Sequence, residues 1–167
     1  MSAAVAEPIA HYRAAFDAAR GGHAATAAQR DAAFERFAAL GFPGARDESW
    51  KYTSLRRLEA RRFPVRDEAA SPPALPAALA AYRIAVINGA HRADLSTGTL
   101  PDGLRLRKLA EAQADGESLA ALLRVPQGGG TERFGALNAA LCPDVLLLDV
   151  AAGAAAEPLE FVFASAA

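Results

Sequence analysis

"DESWKYTSLRRL", Asp47 to Leu58, holds the chain's only tryptophan beside a lysine, a tyrosine and several hydroxyl side chains. Its reading decides whether the N-terminal part of the chain is a binding surface or a packing joint. As a joint, Trp50 buries about 150–250 Å², more than any neighbour in a chain poor in large side chains. Leu55 and Leu58 stand at helical spacing and complete its contacts, while Thr53 caps the turn that carries them. Tyr52 then offers its hydroxyl to Glu48 or to a backbone group.

Two other readings use the same residues. In a nucleic-acid module, Trp50 and Tyr52 stack on bases while Arg46, Lys51, Arg56, Arg57, Arg61, Arg62 and Arg66 hold phosphates. Those seven cations against Asp47, Glu48 and Glu59 leave +4 between Arg46 and Arg66. In an enzyme, Glu48, Lys51, Tyr52 and Thr53 supply acid, base and nucleophile types, but their spacing matches no mechanistic motif. The interleaved acids, and a net charge of -1 over 167 residues, favour the joint.

Composition sets further bounds. A hydrophobic share of 52% suffices for a core and 22% charged residues suit a wet surface. Alanine supplies about a quarter of the chain. It favours helix but buries little area, so the core must rest on a few Phe, Leu, Ile and Val positions. The single Cys142 excludes an internal disulfide and a thiolate-only metal site within one chain. His11, His23 and His91 are scattered and form no ligand or triad spacing with it. The start, "MSAAVAEPIAHYRAAF", lacks a basic segment and a continuous apolar run, so no signal peptide is expected and the localisation expected is cytoplasmic.

Along the chain, Ile9, Tyr12, Phe16 and Ala19 recur at helical spacing, predicting a helix from Pro8 to about Arg20 that Gly21-Gly22 stops. Thr26 and Gln29 fit a capping box for a second helix, whose buried stripe is Ala33, Phe34, Phe37 and Leu40. Gly41 stands where a positive-φ terminator is wanted, with Phe42 placed to touch Phe37 and Pro43 barring continuation. Together these predict a helical hairpin. A proline-broken linker covers Glu68 to Ala80. "YRIAVI" (Tyr82–Ile87) reads as a strand, Asn88-Gly89 as a tight turn, and "AHRADLS" as the returning strand. A turn at Asp102-Gly103 leads into a short strand ending near Lys108. Ser118 caps a helix over "LAALLRV", the glycines at 128–130 form a loop, and Thr131 caps a helix through "ERFGALNAAL". "DVLLLDV" and "PLEFVF" are closing strands.

Four stretches in order carry a resemblance: "LGFPGARDESWKYTSLRRL", "VINGAHRADLS", "LPDGLRLRKLAEA" and "RFGALNAALCPDVLLLDVAAGAAAEPLEFVF". In them the sequence resembles the N-terminal region of the SufD branch of the SufB/SufD family of iron–sulfur cluster assembly proteins. The positions carrying the likeness are Glu48, Trp50, Lys51, Tyr52 and Thr53, then Asn88 and Gly89, then Leu137 and Asn138. They are structural motif residues; no catalytic, cofactor-binding or metal-binding residue is expected.

The resemblance implies a right-handed parallel β-helix, of which residues 143–167 are the first strands, truncated here. It places the SufC-docking surface, the SufB-facing end and the Cys and His implicated in cluster assembly beyond Ala167. Cys142 stands where the family usually has an apolar or aromatic residue, and reads as a small buried hydrophobe. Val145 stands at the usual glycine.

The expectation is therefore an α+β chain: an N-terminal helical segment with the Trp50 junction (1–66), a linker (67–80), a small β-rich segment with short helices (81–142), and the start of a β-helix (143–167). Its expected role is a non-catalytic, structural part of a SufD-like scaffold. Iron–sulfur clusters belong to the whole complex, not to this chain. SufB-like and SufC-like subunits are the expected partners, with no nucleic acid and no membrane. Uncovered strand edges at Val145–Val150 or Leu159–Phe163 predict a homodimer.

Overall fold

The computed structural model describes residues 3–20, 26–63, 71–117, 132–142, 145–154 and 157–165. The chain is α+β and groups into two compact units, each built from two separated stretches. One comprises Met1–Val65 and Ser118–Cys142; the other comprises Arg66–Glu117 and Pro143–Ala167. The expected segments ran in sequence order. The units interleave instead, because the helix in the 132–141 region packs with the N-terminal helices.

In the helical unit, α1 spans Ala3–Ala19, α2 spans Ala27–Leu40, α3 is the single turn Arg56–Glu59, and α5 spans Glu132–Leu141. Helix α1 begins five residues before Pro8, so the proline lies inside the helix rather than opening it. Three alanines ahead of it, Ala3, Ala4 and Ala6, are strong helix formers.

The core of this unit is Phe16, Ala33, Phe34, Phe37, Ala136 and Ala140, with Phe34 and Phe37 fully buried. Phe16 stacks on Phe34 at 4.8 Å between ring centroids, and Phe37 meets Phe34 edge-on at 6.0 Å. The small Ala136 and Ala140 let α5 approach these rings closely. This is how an alanine-rich chain builds a dense interior: large rings on one helix, methyl groups on the facing one.

Helix α2 ends as read from the sequence. Gly41 has φ 64°, its N–H donates to the Phe37 carbonyl at 2.7 Å, and Phe42 meets Phe37 edge-on at 5.3 Å. The capping box does not form. Thr26 is the N-cap residue, but its side chain makes no cap hydrogen bond. Its hydroxyl instead accepts a bond from Arg30 Nε at 2.8 Å. A buried guanidinium needs acceptors, and the nearest hydroxyl serves it.

In the strand unit, β1 is Tyr82–Ile87, β2 Ala90–His91, β3 Leu104–Lys108, β4 Leu146–Val150 and β5 Leu159–Ala164; α4 spans Leu109–Ala114. One sheet has the order β2-β1-β5, with β1 antiparallel to β2 and parallel to β5. The other pairs β3 antiparallel with β4, Leu106 opposite Leu148. Asn88 (φ 49°) and Gly89 (φ 80°) both hold positive φ, as the tight turn requires.

The returning strand is shorter than expected. It stops at His91, and Ala93–Leu95 form a 3-10 turn, because Arg92 turns locally onto Asp94 through bonds of 2.8 and 2.6 Å. His91 is half-buried rather than solvated, with Nε2 3.3 Å from Ser96 Oγ. Residues 71–78 adopt no regular structure. The expected Gly21-Gly22 stop, His23, Arg66, the Ser118 helix, the glycine loop and Thr131 lie outside the described residues.

Candidate functional site

The quoted stretch begins just past α2. Glu48–Trp50 form a 3-10 turn, and the loop that follows leads into α3. Trp50 packs on Phe134 of α5 at 5.4 Å, tilted by 56°. Phe134 in turn meets Phe42 at 5.8 Å. The indole therefore ends a row of rings running Phe34, Phe37, Phe42, Phe134, Trp50. It is half-buried, so it closes the edge of the core rather than occupying its centre. Its partner stands more than eighty residues away in sequence, which no local spacing could name.

Its neighbours face water. Tyr52 is 91% exposed, so its hydroxyl is not tucked against Glu48 as expected. Lys51 lies over the Tyr52 ring at 5.4 Å and 4.0 Å from Glu48. Thr53 is exposed and does not cap α3; Leu55 holds the N-cap position and no side chain caps that turn. Leu55 and Leu58 are half-buried. Asn88 and Gly89 make the β1–β2 turn, and Leu137 packs at the margin of the helical core. Asn138 is exposed, and its carbonyl accepts the Cys142 N–H at 2.7 Å. Cys142 is half-buried, less covered than the small buried hydrophobe expected.

What sequence reasoning missed is the use of arginine. Arg30, near the start of α2, is 3% exposed and donates to the carbonyls of Ala140 (3.1 Å) and Cys142 (2.7 Å) at the end of α5. Arg133, near the start of α5, reaches the carbonyls of Leu40, Gly41 and Phe42 at the end of α2, and Asp47 at 2.9 Å. The two helices are antiparallel, and each lends an arginine to the orphan carbonyls and negative pole of the other. Arg36 adds a bond to Glu132 at 2.9 Å. Asp47 also accepts the Gly44 N–H at 2.7 Å; that bond first, then Arg133, holds its carboxyl below the ordinary range.

In the strand unit arginine meets carboxylates. Arg83, 5% exposed, forks onto Glu160, its register partner across β1–β5, with two bonds of 3.0 Å. Its remaining nitrogen donates to the Pro76 carbonyl at 2.7 Å. Arg107, 6% exposed, forks onto Asp149 at 2.5 and 3.0 Å and reaches Glu117 (2.5 Å) and Asp115 (3.2 Å). The bonds from Arg107 pull the Asp149 carboxyl down, and those from Arg83 and the Leu79 N–H do the same for Glu160. The one available signal was an arginine in an apolar strand with a carboxylate in another.

A groove of about 370 Å³ lies between α1 and the α3 region, lined by Pro8, His11, Tyr12, Arg56, Glu59, Ala60, Arg61 and Arg62. His11 Nε2 is 3.0 Å from the Phe63 carbonyl, and its ring meets Tyr12 edge-on at 5.1 Å. Burial raises the Tyr12 phenol's pKa. Among the described residues no three His, Cys, Asp or Glu side chains gather as metal ligands, and no helix is long and apolar enough to cross a membrane.

The family model described as the SufBD protein N-terminal region matches residues 9–159. The chain belongs to the SufB/SufD family. The matched region is common to both branches, and membership carries with it a place in iron–sulfur cluster assembly by the SUF system, alongside protein partners. No curated protein matches the chain. The family match spans both compact units, so the helical unit with its Trp50 edge and the strand unit are both parts of the SufB/SufD N-terminal region.

Proposed function

We propose that the chain is the N-terminal part of a SufD-like subunit, non-catalytic and without a cofactor of its own, acting in the cytoplasm by structure and protein contact. The observation that carries this reading is how the polar side chains are spent. Among the described residues Arg30, Arg83, Arg107 and Arg133 each make several hydrogen bonds, and these serve helix ends or carboxylates in the strand unit. SufB-like and SufC-like subunits are the proposed partners. The outer strand β5 and the exposed Phe161 and Phe163 support self-association through Leu159–Phe163, with Val145–Val150 as the second route.

Co-expression tests the subunit role. The full-length protein carrying this region should co-purify with SufB-like and SufC-like subunits, and the isolated chain given iron and sulfide should develop no visible cluster absorbance. A Cys142-dependent spectrum from the isolated chain, or no complex, overturns it. Light scattering that finds a stable monomer at high concentration removes the homodimer. The exposed Tyr52 under Lys51, with Arg46, Arg56 and Arg57 also exposed, favours a nucleic-acid module as the second reading. Affinity for single-stranded nucleic acid that falls steeply with salt would select it.

A further inference from the structure

The groove between α1 and the α3 region is not absorbed by the structural role. Arg56 and Arg61 line it, both are exposed, and among the described residues neither guanidinium is engaged in an ion pair. Arg13, Arg20, Arg36 and Arg92, also solvent-accessible, each hold a carboxylate, whereas the exposed Arg46, Arg57 and Arg105 share the state of Arg56 and Arg61 but do not line the groove. Arg62 adds a third cation to the lining and Glu59 the one carboxylate.

From this geometry we infer that the groove is a docking site for an acidic peptide segment of a partner protein. Arg56 and Arg61 each take a side-chain carboxylate, and Glu59 faces a hydrogen-bond donor of the same segment. Guanidinium forks match carboxylates in two-point contact. Each such contact at an exposed site is weak and screened, so useful affinity needs several on one ligand. A free small anion supplies too few, and an open groove cannot enclose it. A nucleic-acid strand also fits poorly. Its bases need bare aromatic faces, whereas Tyr12 is engaged with His11, Phe37 and Phe42, and His11 is held at the Phe63 carbonyl.

The inference rests on the protein-contact reading above and names its chemistry. Its test uses a fluorescent oligoglutamate peptide and the purified chain, followed by anisotropy at several salt concentrations. Saturable binding is expected, weakened about tenfold by combining Arg56→Ser with Arg61→Ser, and tightened roughly threefold by Glu59→Gln. Circular dichroism of each variant checks folding, and a gain of binding in Glu59→Gln cannot arise from unfolding. Absent binding, binding indifferent to the arginines, or displacement by oligothymidylate or inorganic phosphate at equal or lower concentration overturns the inference. Those failures leave the co-purification result standing, and failed co-purification leaves peptide binding standing, so the two are told apart.

Discussion

The two units solve one problem, an arginine drawn out of water, in different ways. In the helical unit the buried Arg30 and the half-buried Arg133 end chiefly on backbone carbonyls, with the Thr26 hydroxyl and the Asp47 carboxylate as their side-chain partners. In the strand unit Arg83 and Arg107 end chiefly on the carboxylates of Glu160, Asp149, Glu117 and Asp115. Helices expose unpaired carbonyls at one end, so a cation there finds neutral acceptors already aligned. Strands spend their carbonyls on the ladder, leaving side-chain oxygens to satisfy a cation. Carbonyls do not titrate; carboxylates do. The units should therefore fail under different conditions.

The largest effect tests whether ring packing, rather than the arginines, holds the helical unit. Phe34→Ala removes a fully buried ring stacked on Phe16 and should cost about 3–5 kcal/mol in urea unfolding. A cost below that of the arginine variants would reverse this ranking. Arg30→Ala strips the donor from the buried Ala140 carbonyl and the part-buried Cys142 carbonyl and should cost about 2–3 kcal/mol, with little dependence on pH. Trp50→Ala comes next at about 2 kcal/mol, less than a central core ring, because the indole is half-buried against Phe134.

Acid sharpens the contrast more gently. Asp149 and Glu160 are held below their ordinary values of 3.8 and 4.5, so their contribution is complete above those values. It disappears as pH falls through the depressed folded values, where both states are protonated. Hydrogen exchange of β1, β3, β4 and β5 amides should therefore accelerate on acidification beyond its intrinsic pH dependence. The amides of α2 and α5 should respond less, since the buried bonds that join those helices end mainly on carbonyls. Equal response in both units breaks the comparison. The smallest effect is expected at Tyr52→Ala, within about 0.5 kcal/mol, since the ring is 91% exposed.

How far each feature was legible follows from the range of its interactions. The Gly41 terminator, the Phe37–Phe42 contact, the Asn88-Gly89 turn and the β1, β3, β4 and β5 strands depend on residues close in sequence. The capping box at Thr26 was lost because a long-range demand outbid a local one: Arg30 is buried under α5 and takes the hydroxyl. The second strand failed for a local reason, the Arg92–Asp94 fork, which strand alternation does not encode. At the candidate site, aromatic content was legible but exposure was not; Trp50 and Tyr52 lie two residues apart and differ in burial because Phe134 covers one of them.

By itself the sequence determined the α+β class, most element positions, the two positive-φ stops and, through four ordered motifs, the family. Hydrogen-bond geometry and side-chain periodicity act within a few residues, so they leave a readable local record. Only the tertiary structure decided that α5 joins the N-terminal helices and that β5 runs parallel to β1. It also decided which arginines are buried and which line the groove. Those outcomes join residues tens of positions apart, where burial ranks competing partners and no spacing rule applies.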